Sequence, residues 1–143
     1  MTWYSGVEDF RIAATFVFDA SRKSSAVRYN DLTMIIKAQD RLVKPSPHGL
    51  HVRKEVLVTN GAAPPITQVA VSTIEPQTAV EMHQHATMWE FFFVLSGAAT
   101  YFLDDEEFDV GSGDLFVVPP GKRHGQKAQD APHTVLHWGV ATD

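Results

Sequence analysis

Residues 81–97 read EMHQHATMWEFFFVLSG. Two histidines one residue apart, His83 and His85, precede an acid, Glu90, set in an otherwise apolar run. In an extended strand side chains alternate faces, so His83 and His85 point to one side. Glu90 follows His85 at an odd interval and, on one unbroken strand, would face the other way. The three converge only if the chain turns between them, and Ala86–Trp89 is the length of a hairpin connection. The expectation is two imidazoles on one strand, a reversal, and a carboxylate on the neighbouring strand, all aimed into one space. Imidazole nitrogen and carboxylate oxygen are common ligands of divalent transition metals.

A chain of 143 residues is ordinary for one domain and long enough to bury a core. Its 44% apolar and 20% charged residues argue against extended disorder. The net charge of −5, with basic residues no denser than pairs such as Arg22-Lys23, Arg53-Lys54 and Lys122-Arg123, speaks against a nucleic-acid partner. The absence of cysteine removes disulfides, thiolate ligands and cysteine nucleophiles together, and points to the cytoplasm. No run approaches the roughly 18–20 apolar residues of a membrane helix. Ile12–Phe18 is apolar, but Glu8 and Asp9 precede it where a signal peptide carries positive charge, so an unprocessed chain is expected.

Residues 1–30 fit neither helical nor strand spacing throughout and read as an extension packing on the domain or on a partner subunit, with the domain itself over residues 31–143. Strand-like segments follow at Leu32–Val43, closed by Pro45 and Pro47, and at His51–Val58, Ile66–Ile74 and Thr78–His85. Further strands are expected at Glu90–Leu95, Ala99–Leu103, Phe108–Val110, Leu115–Val118 and Thr134–Val140, with turn residues between them. Short strands punctuated every eight to twelve residues or so predict an all-β sandwich or barrel rather than βαβ units.

The second informative stretch is 113–124, GDLFVVPPGKRH. Pro120-Gly121 suits the central positions of a type II turn, which would hold the following His124 rigidly at the mouth of a barrel as a fourth ligand.

Taken together, His83-x-His85-x4-Glu90-x6-Gly97 and Gly113-x5-Pro119-x-Gly121-x2-His124 resemble the two motifs of the cupin family. The match covers about Pro76–Gly125. It departs at Gln77, where the family usually opens the first motif with glycine, and at Ala128, where it usually closes the second with asparagine. The resemblance implies a jelly-roll β-barrel of two packed antiparallel sheets. It also implies one divalent transition metal (Fe, Mn, Ni, Cu or Zn) at His83, His85, Glu90 and His124, and often a homodimer. A non-metal reading of Glu90 would be a salt bridge to Arg53 or Lys122, since a buried carboxylate needs a partner.

By parity with Glu90, Phe92 and Val94 face inward, so Phe91, Phe93 and Leu95 face outward and need covering by the extension or a second copy. Glu81 shares parity with His83 and His85 and is a candidate general base at the pocket rim. His51 and Arg53 could form an anion-binding edge, with plain surface residues the favoured reading, and His133 and His137 read as structural. The expected function is metal-assisted chemistry on a small polar metabolite, dioxygenase-type oxidation ahead of isomerase or lyase chemistry. The alternative is a non-catalytic small-molecule binding or sensing module.

Overall fold

The computed structural model describes residues 35–46 and 49–142. The expected extension over residues 1–30 lies outside them. Ten strands account for nearly all the regular structure: β1 (Leu42–Ser46), β2 (Gly49–Val58), β3 (Ile66–Ile74), β4 (Ala79–His83), β5 (Met88–Ser96), β6 (Ala99–Leu103), β7 (Glu106–Val110), β8 (Leu115–Val118), β9 (His124–Ala128) and β10 (His133–Ala141). They form a six-stranded sheet in the order β1-β2-β3-β10-β5-β8 and a four-stranded sheet in the order β4-β9-β6-β7. Every strand pairing is antiparallel. This is the expected two-sheet barrel. No described helix is long and apolar enough to cross a membrane.

Four local expectations are corrected. Ile35 and Ile36 are not in a strand, and a short 3-10 turn at Ala38–Asp40 precedes β1. Pro45 lies inside β1 rather than closing it, which is tolerated because β1 is the edge of the sheet among the described residues. β9, whose residues HGQKA lack the β-branched and aromatic signal of a strand, forms between β4 and β6 because both neighbours supply hydrogen-bond partners. Finally, β4 and β5 are not a hairpin: β4 pairs with β9 in one sheet, and β5 with β10 and β8 in the other. Residues 84–87 carry the chain across the gap between the sheets.

The inner faces follow the period of two. On β5, Phe92 and Val94 are buried while Trp89 and Leu95 are exposed, as the parity of Glu90 required. Along β10 the inward residues are His133, Val135, His137 and Gly139. The first two join the packed core, and the last two line a cavity. The core proper holds Phe92, Ala99, Tyr101, Val118 and Val135, with Val52, Ile74 and Ala128 in a second cluster. Each fully buried aliphatic side chain there contributes about 1.5–3 kcal/mol, and Phe92 and Val52 extend this core to the wall of that cavity. Ala128 thus fills an apolar core position where the family motif usually has asparagine.

Gly97 adopts φ +76°, and a Cβ there would run into the Pro132 carbonyl. That double constraint accounts for glycine at the end of β5.

Candidate metal centre

His83, His85, Glu90 and His124 converge at the open end of the barrel, their ligand atoms all within 4.8 Å of one another. His83 closes β4, and its Nδ1–H donates to the Glu81 carbonyl at 2.8 Å, which turns Nε2 toward the centre. His85 sits in the sheet-to-sheet connection rather than on β4, so strand alternation does not orient it. Its loop is held instead by the Gly121 N–H, which donates to the His85 carbonyl at 2.8 Å. Gly121 has φ +79° and Lys122 N–H donates to the Pro119 carbonyl, the expected type II turn around Pro120-Gly121. One turn therefore positions two ligands: His85 through its carbonyl, and His124 as the first residue of β9.

Glu90 enters from the opposite sheet. Its Oε2 lies 2.6 Å from His124 Nε2 and 3.4 Å from His85 Nε2, with the side chain only 12% exposed. Burial pushes the Glu90 carboxyl up, but the His124 hydrogen bond and the neighbouring imidazoles outweigh it and leave it below the ordinary carboxylate range. Burial likewise pushes His124 down, while Glu90 and the Lys122 carbonyl accepting from Nδ1–H hold it above its ordinary value. Neither Arg53 nor Lys122 is the partner of Glu90: Arg53 pairs with Glu55 at 3.0 Å and Lys122 with Asp104 at 2.6 Å.

The donor set fits a divalent transition metal. Three imidazoles and one carboxylate reach one point from both sheets, and on His83 and His124 a backbone carbonyl takes the proton of the ring nitrogen that faces away.

Glu81 is corrected. The β4–β9 register shifts between Val80 and His83, so Val80 and His83 both line the cavity despite their opposite parity. The Glu81 side chain is exposed, and it is its carbonyl that serves the site. His51 and Arg53 are exposed, as the surface reading held.

Beneath the four ligands lies a cavity of about 260 Å³. Its walls include Lys54, Ser72, His137 and Gln126, none of which was singled out for the site from the sequence. His137 Nε2 lies 2.9 Å from Ser72 Oγ, its ring stacks on Phe92, and burial pushes its pKa down to about 4. The legible signal was Lys54 itself, a lysine on the apolar face of β2 between Val52 and Val56. Trp89 is exposed on the outer face, and Tyr101 is buried in the core with its hydroxyl 3.0 Å from His133 Nε2.

A family model described as "Cupin domain" matches residues 70–138. The barrel is a cupin domain. A curated relative, an uncharacterized protein of Methanocaldococcus jannaschii, is 37% identical over 43 residues, 30% of this chain. The match spans about a third of that relative, 34% of its length. Among solved structures, a predicted oxalate decarboxylase from Thermotoga maritima superposes with a TM-score of 0.69 at 15% identity, over 76% of this cupin and 99% of that chain. FeII HppE superposes with a TM-score of 0.66 at 18% identity, over 78% and 62%. At these identities the likeness is one of fold.

Proposed function

We propose that this cupin holds one divalent transition metal at His83, His85, Glu90 and His124 and acts as an enzyme on a small polar metabolite. The observation that carries the reading is the convergence of four donor atoms within 4.8 Å above a cavity with polar walls. A bound divalent metal would supply Lewis acidity toward a carbonyl or enolate and a lowered pKa for water. The chain's own share is positioning. Glu90 offsets charge from one sheet, the Pro120-Gly121 turn fixes His85 and His124 from the other, and Phe92 and Met88 give the cavity an apolar wall that limits water. Dioxygenase-type oxidation is the favoured reaction, with isomerase or lyase chemistry next; the FeII in the HppE structure shows an iron-bearing protein with this fold.

The test is elemental analysis of untagged protein purified without chelator, alongside His85→Ala. About one transition metal per chain is expected in the wild type and under a tenth of that in the variant, with turnover lost in parallel. Iron promotes the oxygenase reading and zinc demotes it. Wild type free of any transition metal overturns the reading, and a loaded protein without turnover moves it to the binding or sensing class.

A further inference from the structure

The cavity below the four ligands has a charge of its own. Lys54 projects from β2 on the same face as buried Val52 and Val56, and lies directly across from Ser72 on β3. Ser72 in turn contacts His137 on β10, and His137 lies two residues, on the same face, from Gly139, which pairs with Glu90. The inner face of the larger sheet thus carries a polar row, Lys54, Ser72, His137 and Glu90, across four adjacent strands. Burial lowers the Lys54 pKa, and the Glu90 charge opposes that. Among the described residues no ion pair joins its ammonium to an acid. A half-buried ammonium without such a partner is costly unless an occupant of the cavity supplies one.

The facing sheet supplies a second observation. Gln126 on β9, two residues past His124, lines the same cavity at 6% exposure, and its Oε1 is buried with no hydrogen-bond partner among the described residues. A buried amide oxygen needs a donor, which a carboxylate cannot give, so a water held between Gln126 and an occupant of the cavity would supply it.

Charge and size then define the occupant. Neutral imidazoles and Glu90 around a divalent ion leave one positive charge, and Lys54 adds a second a short way below it. At about 260 Å³ the cavity is smaller than the ~300–1,000 Å³ pockets that take drug-sized ligands, so its occupant is a small molecule. We infer that the ligand of this cavity is a small dicarboxylate, one carboxylate at the four-residue centre and the other on Lys54. The first half of this statement rests on the metal reading above; the Lys54 half stands on the cavity itself.

The test compares malonate with its monoamide, malonamate, which keeps the shape and one carboxylate but lacks the second. Binding is measured by calorimetry at low salt on zinc-loaded and metal-free protein, for wild type, Lys54→Met and Lys54→Arg. Wild type should prefer malonate at least about tenfold, a usual effect of pairing a desolvated charge. Lys54→Met should bind the two compounds alike while holding zinc at the wild-type ratio, and Lys54→Arg should restore the preference. No preference in wild type, or its survival in Lys54→Met, overturns the inference. If wild type holds no zinc, the metal reading fails. The metal-free comparison then still decides Lys54: a preference lost in Lys54→Met supports its role, and its absence from wild type overturns it.

Discussion

His133 shows how much a single buried side chain can set. It is fully buried, its Nε2 meets the Tyr101 hydroxyl, and its Nδ1 has no partner among the described residues. Burial holds its pKa down at about 4, from 6.5 when unconstrained. The unfolded chain therefore takes up a proton as pH falls below about 6.5, whereas the folded chain resists until about 4. Stability from this group is complete above about 6.5, declines between 6.5 and 4, and is gone below. At about 1.4 kcal/mol per pH unit the total is about 3 kcal/mol. His137 is depressed to about 4 as well and adds a decline of the same sign. His133→Gln keeps a hydrogen-bonding group for Tyr101 but cannot titrate. Urea unfolding of metal-free protein at pH 7 and pH 4.5 should show a markedly smaller loss in the variant than in wild type. Equal losses would mean that His133 does not carry this dependence.

At the level of elements, the turn into β4 gives the departure at Gln77 a physical meaning. Gln77 has φ +61°, the left-handed region where glycine is the unstrained residue. The strain is offset locally: Gln77 N–H donates to the Gln129 carbonyl, and its Nε2 to Asp130 at 2.8 Å. Comparing Gln77→Gly with Gln77→Ala removes the side-chain bond from both and leaves only the backbone. Glycine should be the more stable by about 1 kcal/mol in thermal unfolding; alanine equal or better would show that the turn is not held left-handed in solution. The same region shows what could be read in advance. Strands marked by β-branched and aromatic residues, such as Ile66–Ile74 and Leu115–Val118, were legible to the residue. β9 was not, because its strand character comes from its neighbours. The convergence of His83, His85, Glu90 and His124 was legible through interval and turn chemistry, although the hairpin assumed to unite them is a crossing between sheets. Parity did not place Glu81 on the cavity wall, because alternation fails across the register shift in β4. Lys54 was legible as a break in the apolar face of β2, but Gln126, and the cavity that joins the two, became visible only when opposite sheets closed on one space.

For the whole molecule, the outer face of the larger sheet is the open question that the parity of β5 first raised. Cross-strand register places Val71, Leu136, Phe93 and Leu115 in one row over β3, β10, β5 and β8. A second row holds Val69, Trp138, Phe91 and Val117, in which the Phe91 and Trp138 rings stack at 5.2 Å. Leu95 and Leu115 remain 45% and 52% exposed. Among the described residues this continuous apolar face of two rows is part-exposed, the kind of surface that marks an interaction site. Our proposal is that a second copy of the chain covers it, burying the roughly 800 Å² per partner that a stable dimer needs. Light scattering at micromolar concentration should give twice the chain mass. Leu95→Lys combined with Leu115→Lys should give the single-chain mass with little loss of monomer stability, because both side chains are already exposed. A wild type that is monomeric at that concentration rejects the dimer outright. A double variant that stays dimeric places the contact away from these two leucines, which rules out this face as the one that pairs.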